Sequence, residues 1–339
     1  MKKIRNSNIE FIRILLMFFI ILHHTSIYGL ENNSTLNTSQ QIIATILSSF
    51  GKIAVILFIL ITGYFQGNKE RINKHSLQNI HRVTLFYSIS IFVIFCILFP
   101  IYKINFGRII NAVFPICSGA YWFITDYVIL LIISPYINKL CKSLSKKEFQ
   151  KLLFVSFVLL CFVNYLPFFD LDMSSIIYFV FFYISGIYIQ NYFESSKMKN
   201  YNFKIIFLCL SVFYFLCIYL GKTLDITVLS DVVQLSSPIG YAIAVSIFLT
   251  ILKFKPTHFK VINHISKYIL PIYLIHDNRL IRAWVYDDLF HLTRIHFSNN
   301  LQLIFITIMD AILIFIICFF IEIIRVTLMN KIKKICAKS

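Results

Sequence analysis

Charge is scarce in this chain, and negative charge is scarcer still. Charged residues make up 14% of its 339 residues, with 15 Asp and Glu against 32 Lys and Arg. A soluble domain carries about 25% charged residues, so a surface wetted on all sides is excluded. Glycine and proline are few, nine and seven, and they nowhere gather into a linker or a low-complexity segment. The eight cysteines are scattered and form no C-x-x-C pair. Neither a disulfide framework nor a metal site is indicated, and no metal is expected. The signatures of soluble enzymes are missing too: no G-x-S-x-G, no H-E-x-x-H, no P-loop and no G-x-G-x-x-G. Any chemistry must then be done within the apolar part of the chain.

That part is most of it. Hydrophobic residues are 58% of the total, in runs of about twenty residues, each able to cross a hydrocarbon core of roughly 30 Å. In lipid every backbone polar group must be paired within the protein. Barrel strands would be shorter and alternate in polarity, so the runs read as helices. The expected fold is all-α: one polytopic membrane helix bundle over residues 1–339. About ten spans are expected, at 10–28, 44–66, 83–101, 121–138, 151–167, 174–192, 203–221, 237–253, 267–286 and 302–324. The first run carries Glu10, Arg13, His23 and His24 and lacks a small-residue cleavage site, so it is not expected to be a signal peptide.

The net charge of +17 would suggest nucleic acid in a soluble protein. Its distribution argues otherwise, and no nucleic-acid partner is expected. Alternate loops hold the cations: 24 fall on the side of both termini and six on the other. This is the positive-inside pattern and places both termini in the cytoplasm.

Ionisable side chains within spans are costly and mark functional sites by default. Glu10 and Arg13, three apart, share a helix face and could simply pair at the cytoplasmic interface. His23 and His24 lie roughly 20 Å farther along the same helix and point about 100° apart, so one of the two at most faces a given site. His276 and Asp277 occupy the ninth span, where a partnered, non-catalytic histidine is the plainer alternative. Trp122 and Asp126 open the fourth span; Asp126, and Asp310 in the tenth, also suit helix–helix hydrogen bonds.

In order along the chain, these residues resemble the bacterial acyltransferase family 3, membrane-bound O-acyltransferases of surface polysaccharides. The opening pattern is an acid, two residues, an Arg, ten residues and a His: here Glu10, Arg13 and His24. The family often has Asp at the first of these. The second span ends in Ile-Thr-Gly-Tyr-Phe around Gly63, Arg82 begins the third, and Tyr121-Trp122-Phe123 the fourth. Gly186 lies in the sixth, and Tyr273-Leu274-Ile275-His276 matches a ninth-span motif. The resemblance implies transfer of an acyl group, usually acetyl, from acetyl-coenzyme A to a hydroxyl of a surface glycan or glycolipid, in the bacterial cytoplasmic membrane. It implies a catalytic set of His24, Glu10 and Arg13: His24 is base or nucleophile, Glu10 and Arg13 lie too far along the same helix to touch it, Glu10 orients Arg13, and Arg13 with Arg82 meets the coenzyme's phosphates. A secondary transporter or glycolipid flippase of the same pathway is the alternative, although no related halves are visible.

The charge asymmetry generates a direct test of topology. A reporter fused after residue 339 should be active only in the cytoplasm, and one placed near Asn33 only outside. A carboxy-terminal reporter active outside would overturn the span count.

Overall fold

The computed structural model describes residues 5–99, 105–163 and 173–336. Lys2, Lys3, Lys103, Lys338 and nearly all of the expected loop 168–173 lie outside the described residues. Among the described residues every regular element is helical. In chain order they are α1 (Ser7–Tyr28), α2 (Thr38–Gln66), α3 (Lys74–Leu98), α4 (Phe106–Val113), α5 (Trp122–Ser143) and α6 (Lys146–Phe157). After these come α7 (Ser175–Tyr192), α8 (Phe203–Thr223), a single turn α9 (Thr227–Ser230) and α10 (Pro238–Leu252). The last three are α11 (Lys260–Ile265), α12 (Ile269–His276) and α13 (Asn300–Cys336).

Seven of these stretches are long and apolar enough to cross a membrane: α1, α2, α3, α5, α8, α9 with α10, and α13. Three expected spans are not among the seven. The sixth is α7, of 18 residues. The fifth is α6 continued by a π-helical stretch, Val158–Phe162, and its end from residue 164 lies outside the described residues. The ninth, expected as one span over 267–286, is interrupted. Helix α12 stops at His276, and helical bonding resumes as a π-helical stretch at Trp284–Leu289. The cause is local. Asn278 accepts a hydrogen bond from the Leu280 amide through its side-chain oxygen, at 2.9 Å. Asn side chains that bond the backbone two residues on offer the chain a turn in place of the helix.

The chain forms two compact units. The first gathers the described residues up to Leu36, Asn79–Tyr121 and those from His258 onward. Helix α1 starts behind the N-cap of Asn6, which accepts from the Asn8 amide at 3.1 Å. The hydroxyl of Ser7, fully buried, ties this end to the start of α11. It accepts from the Phe259 amide at 2.6 Å and donates to Asn263 at 3.1 Å. Buried Leu303, Thr307, Ala311, Ile314, Cys318 and Glu322 recur every three or four residues along α13, one stripe of an α-helix. Leu313, Ile317, Phe320 and Ile324 are exposed between them, which suits contact with lipid tails. Glu322 lies buried and paired. It accepts from the Tyr87 hydroxyl of α3, and Arg325 grips it through Nε and Nη2, both at 2.6 Å.

The second unit, Asn37–Gln78 with Trp122–Thr257, is built around the crossing of α2 and α7. There the backbones meet at glycines. A Cβ on Gly63 would stand 2.0 Å from the Tyr183 carbonyl oxygen, and one on Gly186 would stand 2.2 Å from that of Leu60. Small residues let membrane helices approach this closely. Asn138 of α5 closes the end of α2, donating to the carbonyls of Gln66 at 2.8 Å and Lys69 at 2.7 Å. Its own oxygen accepts from the Tyr183 hydroxyl at 2.9 Å.

A methyl group at Gly63 or Gly186 has no room unless two backbones part. Gly63→Ala and Gly186→Ala should each destabilise the solubilised protein by about 1–3 kcal/mol or more, read as a lower melting temperature. Gly107→Ala is the control, since its Cβ would meet its nearest neighbour at an ordinary 3.5 Å. Equal melting of all three variants would overturn the close crossing.

Candidate active site

The first unit brings the two histidines together. His24 lies on α1 beneath a buried stripe that includes Met17, Ile20 and Ile21. His276 is the last residue of α12. The rings are 6% and 2% exposed, and His24 Nδ1 lies 3.0 Å from His276 Nε2. His276 Nδ1 in turn lies 2.7 Å from the carbonyl oxygen of Ile272, one turn back on its own helix.

These two contacts decide the protons. A carbonyl oxygen only accepts, so His276 carries its hydrogen on Nδ1. In a neutral ring Nε2 is then an acceptor, and the donor across the pair must be His24 Nδ1–H. The lone pair of His24 is left on Nε2, the form a general base or nucleophile requires.

Asp277 adds negative charge. Its Oδ1 is 3.6 Å from His24 Nδ1 and 2.8 Å from Arg282 Nη2, with the carboxylate 4% exposed. The guanidinium of Arg282 also donates to the Asp277 carbonyl at 3.2 Å and covers the ring of Tyr28 at 4.0 Å. Tyr28 is one turn beyond His24, with ring centroids 5.4 Å apart. Asn278 completes the wall. It donates to the Tyr121 hydroxyl at 2.6 Å, and that hydroxyl donates to the Leu274 carbonyl at 3.0 Å. His24 is therefore held from both sides by groups that are themselves held. His23 is only half-buried.

The other expected site residues lie elsewhere. Glu10 is buried at 8% exposure, 3.4 Å from Arg13 and 3.9 Å from Arg5. Fourteen residues of helix separate Glu10 from His24, about 21 Å of rise. Arg82 is exposed, more than two turns into α3, which begins at Lys74 rather than beside Arg82, and makes no ion pair with a described residue. Trp122 and Asp126 belong to the second unit. Trp122 lies under the Lys52 ammonium, 5.6 Å from the ring centre, and Asp126 accepts from the Ser175 hydroxyl. Among the described residues no cluster of three or more His, Cys, Asp or Glu is arranged to hold a metal ion.

Three members of the network were not singled out from the sequence: Tyr28, Asn278 and Arg282 as the partner of Asp277. Tyr28 was within reach, four residues after His24. Arg282 was not, because a pair five residues apart does not meet on a continuous helix.

Neither curated proteins nor solved structures include a significant match to the chain. A family model does match, described as an acyltransferase domain of acyltransferase family 3, and it spans residues 6–324. That span includes both histidines, Asp277 and Arg282, and takes in nearly the whole chain. This membrane-type helical protein therefore belongs to acyltransferase family 3.

Proposed function

We propose that the chain is an O-acetyltransferase of the bacterial cytoplasmic membrane, crossing it about ten times with both termini in the cytoplasm. It moves an acetyl group from acetyl-coenzyme A to a hydroxyl of a surface polysaccharide or its lipid-linked precursor. The observation that supports this reading most is the buried contact between His24 and His276, which leaves a lone pair on His24 Nε2.

Chemically, the acceptor oxygen attacks the thioester carbonyl while His24 Nε2 takes the hydroxyl proton. The tetrahedral intermediate then collapses, the carbon–sulfur bond breaks, and the leaving thiolate takes the proton from His24. In between, His24 is an imidazolium. Its Nδ1–H still faces the acceptor nitrogen of His276, and the Asp277 carboxylate offsets the new charge from 3.6 Å. Arg282 keeps that carboxylate in place. The division of labour resembles that of a triad, where the acid orients the imidazole and stabilises its charged form.

Glu10, Arg13 and Arg82 take the donor in this reading. Arg13 and Arg82 bind the phosphates of the coenzyme at the cytoplasmic face, and Glu10 orients Arg13 from 3.4 Å. The thioester must then reach from that face toward His24. A transporter would also employ an interrupted helix near mid-membrane, and the break after His276 is one. The two readings part on phenotype. Deleting the gene of an acetyltransferase removes acetyl ester from surface glycan and leaves the amount of glycan unchanged. Deleting that of a flippase lowers the amount.

In purified protein, His24→Ala should lower acetyl transfer by about 10²–10⁴ and leave acetyl-coenzyme A binding intact. His276→Gln should also lose most activity, through kcat rather than donor affinity, and His23→Ala should be far milder. Full activity in both His24→Ala and His276→Gln would overturn the assignment.

Arg82→Ala and Arg13→Ala should weaken acetyl-coenzyme A binding while acceptor affinity holds, by calorimetric titration. Unchanged donor binding in both would remove the phosphate role.

A further inference from the structure

We propose that a basic cavity in the second unit holds the phosphate head of an anionic phospholipid, whose acyl chains lie along the exposed face of α8. The cavity is found where the start of α8 meets the end of α10. Its volume is about 450 Å³ and it opens to the surface, a size within the range of small-molecule sites. Tyr201, Phe203 and Lys204 wall it at the entry to α8, and Lys253 and Phe254 wall it just past α10. None of these residues belongs to the histidine site, so the inference stands apart from the acyltransferase reading.

The two lysines are crossed over the cavity. Lys204 Nζ lies over the ring of Phe254 and Lys253 Nζ over the ring of Phe203, each 5.2 Å from the ring centre. A surface lysine that reaches into water keeps its rotamer freedom. Here cation–π contact holds both ammonium groups at the wall. Each has three N–H donors. Lys253 gives one to the Tyr201 carbonyl at 2.6 Å, and Lys204 makes no side-chain hydrogen bond or ion pair among the described residues. No carboxylate lines the cavity. Glu194, the one acid between α7 and α8, is engaged by Lys199, and residues 253–259 include none. Donors therefore remain for the oxygens of an anion, and no internal acid neutralises them.

The adjoining surface tells which anion. Ile205 follows Lys204 directly, and Ile205, Leu208, Val212, Leu216 and Tyr219 are all exposed. Spaced by three and four residues, they form one stripe along α8. The stripe begins at the cavity and runs away from it for the length of a membrane span. A phospholipid presents the matching order, a charged phosphate followed by hydrocarbon, whereas a soluble phosphate would leave the stripe uncovered. Tyr201 and Phe254 are exposed at the cavity itself, and aromatic rings of this kind gather at headgroup level. In the proposed topology this end of α8 faces the cytoplasm, where the leaflet is negatively charged and basic pockets between helices take anionic head groups.

The test is native mass spectrometry of the full-length protein in detergent, titrated with dioleoylphosphatidylglycerol or with zwitterionic dioleoylphosphatidylcholine. The anionic lipid should bind about tenfold more tightly or better, since each lysine beside an anionic head contributes about fivefold. Lys204→Gln and Lys253→Gln should each weaken binding of the anionic lipid by about fivefold. Lys197→Gln, in the same loop but outside the cavity, should leave it unchanged. The preference of the wild-type protein stands as a test even if a variant fails to fold. Equal affinity for the two lipids overturns the proposal. Equal losses in all three variants also overturn it, because the attraction would then belong to the loop charge at large. Glycerol 1-phosphate, a head without chains, and coenzyme A serve as competitors, and neither should displace the lipid at matched concentration. Displacement by glycerol 1-phosphate would give the cavity to a soluble phosphate, and displacement by coenzyme A would give it to the acyl donor; either result overturns the lipid site.

Discussion

Lipid tails offer no hydrogen bonds, so a polar side chain within the bundle must find its partners inside the protein. The structure is organised around that constraint. Ile272, His276 and His24 form a chain of hydrogen bonds closed at one end by a backbone carbonyl. Glu322 takes a tyrosine and a bidentate arginine. Asn138 uses both ends of its amide, two bonds given to the carbonyls of Gln66 at the end of α2 and Lys69 just beyond it, and one accepted from Tyr183. Each network joins elements far apart in sequence. A polar residue that could satisfy itself locally would impose no such meeting. The buried polar groups thus specify which helices touch, while apolar packing supplies most of the contact area.

Much of the helix layout was legible in the chain because hydropathy is a local property. Helices α1, α2, α5, α8 and α10 overlap the expected spans closely, α7 falls where the sixth is expected, and α13 covers the tenth but continues past residue 324 to Cys336. The glycines at 63 and 186 stand out in the sequence only through the family resemblance, and their reason is an interhelical distance that no local pattern contains. The interruption at Asp277 is hidden for a different cause. Its flanks are apolar enough to read as one run, and the Asn278 turn that ends the helix is a single-residue signal. The candidate site shows the same split. His24 and His276 stood out separately as ionisable groups at membrane depth. Their contact, across 252 residues, is a tertiary fact. So is the pairing of Arg282 with Asp277, which requires the break.

The separation along α1 organises the proposed reaction. Glu10 and Arg13 sit about 21 Å and about 16 Å of helical rise away from His24, on the same helix. Under the proposed function a soluble donor would be kept at one end and the acceptor at the other, and only the thioester end of the donor would travel between them. The enzyme in this reading need not carry coenzyme A across the membrane, which would require moving several phosphate charges through lipid at heavy cost.

The hydrogen bond from His276 to Ile272 has one more consequence, for the tolerance of the site to motion. Its two ends belong to a single turn of a single helix, so relative sliding of helices leaves it unbroken. The tautomer of His276, and through it the protonation pattern of His24, is therefore written into local backbone geometry. A partner on another helix would let the ring flip to its other tautomer whenever the bundle opened to admit substrate. Were α1 to part from α12 and return, it would find the same nitrogen of His276 waiting as acceptor.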